Sequence, residues 1–280
     1  MAYRTLLTVT EFSESGSLEF EAAISLAQRF SAHLSILVVG EVPPLPFYGY
    51  GAGGAQVWVE ESEQRARNLK AAGERIEAML STRDISFDVR PRLTSVAGED
   101  EVIARHAIYA DLTMMLRPRN GELGTVEKQT IDGALFDSGR PLLVMPDPAS
   151  SRPIGRHVLV AWNAQREAAR ALADAMPLIA SAETVTLFLV DPKTGVDAHG
   201  EEPGADVALL LARHGLRVSV ATVEDTGRSV ARDILDKAAE VNADLVVMGA
   251  YGHSRLRENI LGGTTREILE TSDIPLFLAH

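Results

Sequence analysis

Cysteine is absent from this chain of 280 residues, which excludes disulfides, thiol nucleophiles and cysteine-ligated zinc and fits a reducing compartment. Aromatic residues make up only 5%, so the cores must be built from Leu, Val, Ile and Ala. Lysine is scarce: Lys70, Lys128, Lys193 and Lys237 stand against 23 scattered arginines, and the formal net charge is −12. Such a surface repels phosphate backbones, so no nucleic-acid partner is expected. No apolar run approaches the ~20 residues of a membrane span. Met1–Glu11 also lacks the basic-then-apolar layout of a secretory signal, so a cytoplasmic location is the expectation.

Several catalytic signatures are missing too. No Gly-x-x-x-x-Gly-Lys-Ser/Thr loop occurs, and no Gly-x-Gly-x-x-Gly follows the first strand of either half. Neither a Gly-x-Ser-x-Gly elbow nor His-Glu-x-x-His is present. These absences remove the P-loop, dinucleotide, α/β-hydrolase and zincin readings.

What is present is a repeated α/β pattern. Short apolar, β-branched runs bounded by turn residues read as buried parallel strands: Thr5–Thr10, Leu34–Gly40, Ile85–Pro91, Leu112–Leu116 and Pro141–Met145, then His157–Ala161, Thr184–Val190, Arg217–Val223, Leu245–Gly249 and Pro275–Ala279. Helical spacing lies between them, as in Ala66, Leu69, Ala72, Ile76, Leu80 and in Val230, Ile234, Ala238, Val241. Ala110-Asp111-Leu112 is answered by Ala243-Asp244-Leu245, and the distances from these alanines to Pro141 and Pro275 are 31 and 32 residues. This is a duplicated unit. Pro146 to Pro153, rich in proline and small polar residues, suits an extended connector between domains spanning 1–147 and 154–280. Pro43–Val57 has no counterpart in the second half and carries Phe47, Tyr48 and Tyr50. It reads as a surface excursion, or as a lid or assembly contact.

The segment after the fourth strand of the second half is the most informative. Gly249 and Gly252 permit a sharp turn at a strand's carboxyl end, where ligands bind in open α/β sheets. Gly262-Gly263-Thr264-Thr265 then opens a helix whose free amides suit phosphate. His253 lies inside the turn and reads equally as a phosphate contact or a solvent-facing residue. Met248-Gly249-x-x-Gly252, nine residues, then Gly262 resembles the nucleotide motif of the universal stress protein family, and Val158–Asn163 resembles the first strand of its tandem members.

The resemblance implies two flavodoxin-like domains of the adenine-nucleotide-hydrolase type. Each would be a five-stranded parallel sheet with helices on both faces, and the two would pair through their last strands as an intramolecular pseudo-dimer, with a homodimer as a further level. It implies ATP or AMP, with or without magnesium, in the second domain. Ala161, Trp162 and Asn163 would border adenine and ribose, and Val190 would pack on the base. Met248, Gly249, Gly252 and His253 would line the ribose and phosphate turn, and Gly262, Gly263, Thr264 and Thr265 would hold phosphates. Trp162 reads equally as a stacking ring or a plug of the core.

Two departures stand out. Asn163 replaces the family's aspartate and gives a metal no negative charge, and Gly263 replaces a hydroxyl residue. The first half departs further: Glu11 stands at the aspartate position, and Leu116 to Gly133 lacks the glycine spacing but holds Arg117 and Arg119. The acidic run Glu99-Asp100-Glu101 reads as a helix start explained by the helix dipole. A nucleotide-binding sensor or regulator of stress is expected, with hydrolysis slow at most because no general base is evident. The alternative is a nucleotide-independent interaction module.

Overall fold

The structure, a computed structural model, describes residues 2–12, 20–42, 52–95, 98–117, 122–146, 153–193, 202–250 and 263–280. All ten expected strands form: β1 Thr5–Glu11, β2 His33–Glu41, β3 Ser86–Thr94, β4 Leu112–Leu116, β5 Leu142–Met145, β6 His157–Ala161, β7 Thr184–Val190, β8 Val218–Val223, β9 Leu245–Gly249 and β10 Leu276–Ala279. The helices are α1 Glu21–Phe30, α2 Ala52–Leu80, α3 Glu99–Ala107, α4 Thr125–Ile131, α5 Arg166–Ile179, α6 Ala205–Arg213, α7 Val230–Glu240 and α8 Gly263–Thr271. A π-helical stretch, Asp132–Asp137, prolongs α4. The fold is α/β with a mostly parallel arrangement of strands.

Packing divides the chain into two compact units. The first contains Tyr3–Met115 and Gly124–Arg140, and the second contains Pro141–His280 with Met1–Ala2 and Leu116–Leu123. In the first, the strand order is β3-β2-β1-β4, all parallel. In the second it is β5-β10-β9-β6-β7-β8, parallel except for β5, which runs antiparallel to β10 with Val144 opposite Leu276 and Leu142 opposite Leu278. The boundary of packing thus falls before β5, whereas the sequence repeat runs on to residue 147. Backbone bonding to β10 draws the fifth strand of the first repeat into the second unit. It also covers two strand edges that would otherwise be open to pairing with other chains.

The repeated Ala-Asp-Leu has a physical explanation in both units. The Asp111 amide donates to the Thr5 carbonyl at 2.8 Å, and its carboxylate accepts from the amides of Arg4 (2.7 Å) and Thr5 (3.0 Å). Asp244 repeats this: its amide donates to the His157 carbonyl at 2.8 Å, and its carboxylate accepts from Gly155 (2.7 Å), Arg156 (3.1 Å) and His157 (3.2 Å). Each aspartate ties the start of its repeat's fourth strand to the start of the first.

α2 corrects one boundary. Ala52–Val57, read as part of an excursion, form the beginning of a 29-residue helix, and residues 43–51 with their three aromatics lie outside the described part. Leu69, Ala72, Ile76 and Leu80 are buried as the helical spacing requires, but Ala66 is exposed.

Candidate functional site

The strands of the second unit end level with one another. Ala161 at the end of β6 is in register with Met248 of β9 and Phe188 of β7, and Gly249 is opposite Ala279. Past the strand ends, the Trp162 amide donates to the Phe188 carbonyl (2.9 Å) and the Ala250 amide to the Ala279 carbonyl (2.8 Å). Met248 is buried, Ala161, Trp162, Val190 and Gly249 are half-buried, and Asn163 is exposed. Ala161, Trp162, Val190, Met248 and Gly249 therefore share the carboxyl end of one parallel sheet, which is where such sheets take ligands. Gly252, His253 and Gly262 lie outside the described residues.

Asn163 is committed locally. Its side-chain oxygen accepts from the Gln165 amide at 3.1 Å, an Asx turn leading into α5, with Ala164 at φ +55°. Its amide N–H groups remain available as donors but no carboxylate stands there. At the start of α8, Gly263 is exposed, Thr264 half-buried and Thr265 buried at 4% exposure. The helix start thus leaves Gly263 exposed and Thr264 partly so, while Thr265 packs inward. A Cβ built on Gly263 would meet no atom of the described residues within 4 Å.

Gly249 is the opposite case. A Cβ there would lie 2.5 Å from the Ala168 nitrogen and 2.7 Å from the Glu167 carbonyl carbon, so this glycine is required by close packing of β9 on the first turn of α5. Glu167 at that contact is buried and bonded to Arg166 at 2.7 Å. Burial alone would raise its carboxyl, but the Arg166 bond, its own backbone amide and His280 bring it below the ordinary range.

Two features were not evident in the sequence. Arg117, one of two arginines that the first half holds where the glycine spacing is missing, bonds the Glu270 carbonyl (2.8 Å) at the end of α8 and the Asp273 carboxylate (2.9 Å). It acts as a helix-end cap. The other is at the corresponding mouth of the first unit. Glu99 opens α3 as expected, yet its side chain is fully buried and neither carboxyl oxygen has a hydrogen-bond partner. Helix-dipole stabilisation explains an acid at that position but not one enclosed there. Burial, then the charges of Glu41, Glu11 and Asp100, push its pKa up to about 7.

The sign of the consequence is definite. In the unfolded chain Glu99 loses its proton near 4.5, while the folded protein holds it to about 7. Its contribution to stability is therefore full below pH 4.5, falls as pH rises toward 7 and is constant beyond. Glu99→Gln is expected to abolish that fall and to be more stable than the parent at pH 8. The full shift would correspond to ~3 kcal/mol, and screening by water at the mouth reduces this to about 1–2 kcal/mol. Denaturant unfolding of both proteins at pH 5 and pH 8 measures the difference; equal gaps at the two pH values would contradict it.

An open, mostly parallel α/β sheet, with α8 following a glycine-rich stretch of sequence after β9, belongs to a class of fold whose members take small ligands at the carboxyl ends of the strands. The profile described as the Universal stress protein family matches residues 155–280, and this part of the chain belongs to that family. A universal stress protein from Archaeoglobus fulgidus DSM 4304 has a similar structure, with TM-score 0.68 and 21% identity over 98% of this chain and 97% of that one. A functionally unknown protein, PA1789, from Pseudomonas aeruginosa PAO1 aligns with TM-score 0.60 and 15% identity over 99% of this chain and 92% of that one. At these identities the likeness shows the fold, and it extends over both halves. Universal stress protein Slr1230 from Synechocystis sp. (strain ATCC 27184 / PCC 6803 / Kazusa) is 43% identical over 47 residues, a stretch covering only 16% of either protein.

Among the described residues no helix is long and apolar enough to cross a membrane.

Proposed function

We propose that the second unit binds ATP or a related adenine nucleotide at the mouth bounded by Ala161, Trp162, Val190, Met248 and the start of α8, and that the protein acts by nucleotide-dependent regulation within a stress response. The observation carrying this reading is the start of α8, on the chain immediately after the glycine motif. There Gly263 is exposed, with no atom of the described residues within 4 Å of where a side chain would begin, and Thr264 is half-buried beside it. Free amides, the positive end of the helix dipole and a hydroxyl donor suit a phosphate. The half-buried Trp162 and Val190 offer apolar surface for a base. Magnesium would enter on the phosphates: among the described residues no group of three or more His, Asp or Glu is placed to hold a metal ion. Glu167, packed against Gly249 at the carboxyl end of β9, is already bonded to Arg166, so among the described residues no free general base is evident there and rapid hydrolysis is not expected.

Calorimetric titration of ATP and AMP into ligand-free protein tests this, with Gly263→Glu alongside. The new Cβ meets no atom of the described residues within 4 Å and the added charge favours a helix start, so the variant should fold at least as well as the parent. The same charge repels phosphate. We expect one nucleotide per chain, weakened at least ~10-fold in the variant, a loss equivalent to ~1.4 kcal/mol. At 100-fold over its dissociation constant the ligand should stabilise the fold by ~2.7 kcal/mol. Absence of both heat and stabilisation would leave a nucleotide-independent interaction module as the better account. Two nucleotides per chain would add the first unit as a second site.

A further inference from the structure

The first unit's mouth is built for the opposite charge. On β1, Leu7, Val9 and Glu11 alternate on one face; on β2, Leu37, Val39 and Glu41 do the same. On α3, Glu99, Ile103 and Ala107 recur every fourth residue. Leu7, Val9, Leu37, Val39, Ile103, Ala107 and Val126 of α4 form one buried apolar cluster. Each of these three stripes therefore ends in a glutamate at the carboxyl end of the parallel strands, over a common apolar floor. The charge interactions run the same way: Glu99 feels Glu41, Glu11 and Asp100, and Glu11 feels Glu41 and Glu127.

This cluster lacks internal compensation at its most enclosed member. Glu99 is fully buried, with both oxygens unbonded. Arg65 of α2 comes near, but its guanidinium donates to the Glu41 carbonyl (3.2 Å) and pairs with Glu61 (3.3 Å). Asp132, on the π-helical stretch, adds a further acid facing Asp100. Among the described residues, an anion would meet the carboxylates of Glu11, Glu41, Asp100 and Glu127 with no cation bonded to Glu99, which counts against phosphate here. A bare metal ion fits no better, since no tight group of three ligands exists among the described residues.

We infer that the mouth of the first unit is a binding site for an organic ammonium ion, whose N–H donors bond Glu99, Glu11 and Glu41 while its aliphatic body rests toward Val9, Val39 and Val126. An alkylammonium carries three donors on one nitrogen and an apolar stem. It can bridge carboxylates too widely spaced for a single metal, and it supplies the partner that Glu99 lacks. Binding would draw the Glu99 carboxyl into its ionised form. With that group half-protonated near pH 7, up to about half a proton per site should be released there.

The probe is 1,4-diaminobutane, titrated calorimetrically at pH 7 into the full chain in two buffers of different ionisation enthalpy. Parallel titrations use Glu99→Gln, Glu11→Gln and, as a control on the same helix, the exposed Glu101→Gln. The expected result is saturable binding at one site with proton release, at least ~10-fold weaker in Glu99→Gln and Glu11→Gln but unchanged in Glu101→Gln. Proton release should vanish in Glu99→Gln. Each variant is checked for a cooperative melt; Glu99→Gln should melt no lower than the parent at pH 8. Absence of saturable heat overturns the inference. So does weak attraction that is equal in all three variants, which would reflect only the net charge of −12. Saturable Mg2+ or Ca2+ binding lost in the same two variants, without diamine binding, would replace it with a metal site. None of these outcomes depends on the nucleotide site of the second unit.

Discussion

Gly249→Ala should destabilise the second unit by ~3 kcal/mol, and Gly249→Val by more, although both replace a glycine in a motif that reads as ligand-binding. The added Cβ would sit 2.5 Å from the Ala168 nitrogen, 2.7 Å from the Glu167 carbonyl carbon and 2.9 Å from the Glu167 Cβ. Two of these three obstacles are backbone atoms in the first turn of α5, so no side-chain rotation relieves them. Relief requires α5 to move away from β9. That shift would disturb Ala168, Ala171 and Ala175, which are buried on that helix, and loosen a close-packed interior. Gly263→Ala is the contrast, because its Cβ meets no atom of the described residues within 4 Å. Removing backbone freedom at a helix start should leave stability unchanged or raise it by up to ~1 kcal/mol. Urea unfolding of the two variants separates the roles. Comparable stability in Gly249→Ala and the parent would show that α5 yields easily and that the glycine is retained for a ligand instead.

The contrast between these two glycines shows where sequence reading stops. All ten strands were legible, because continuous β-branched runs between turn residues have few alternatives in a chain of this size. The errors fall at their ends. β3 continues past Pro91 to Thr94 because it is an edge strand, where proline forfeits no ladder bond. α2 begins at Ala52, within a glycine-rich stretch that reads as a loop. The duplication was equally plain, and the pairing of the last strands β5 and β10 matched what the family resemblance implies; the side-chain pattern alone carries no mark of those backbone bonds.

At the sites, residue type was legible and environment was not. A glycine motif announces a turn but not which side of it is walled by backbone. An acidic run at a helix start looks the same whether solvated or enclosed, so the burial of Glu99 escaped notice. A signal did exist. Continuing the alternation Leu7, Val9 to Glu11 and Leu37, Val39 to Glu41, and the fourfold spacing from Ala107 back to Glu99, points three glutamates at one place.

The other large effect is expected at the repeated aspartates. Asp244→Ala removes the acceptor for the amides of Gly155, Arg156 and His157, and Asp111→Ala removes it for Arg4 and Thr5. Hydrogen bonds to a charged acceptor contribute ~1.5–3 kcal/mol apiece, and stranded amides at a partly buried strand start add a penalty. Losses of about 3 kcal/mol for Asp244→Ala and somewhat less for Asp111→Ala follow, the difference reflecting three donors against two. Asparagine should recover part of each loss, since its carbonyl can still accept although without charge. The chain's two tryptophans make the assignment measurable, because Trp58 lies on α2 in the first unit and Trp162 follows β6 in the second. With Trp58→Phe as background, fluorescence follows the second unit, and with Trp162→Phe it follows the first. Asp244→Ala should shift the Trp162 transition to lower denaturant by more than it shifts that of Trp58, and Asp111→Ala should do the reverse. Identical shifts of both signals by either substitution would mean that the two units unfold as one cooperative body, so that each aspartate stabilises the whole chain instead of its own repeat.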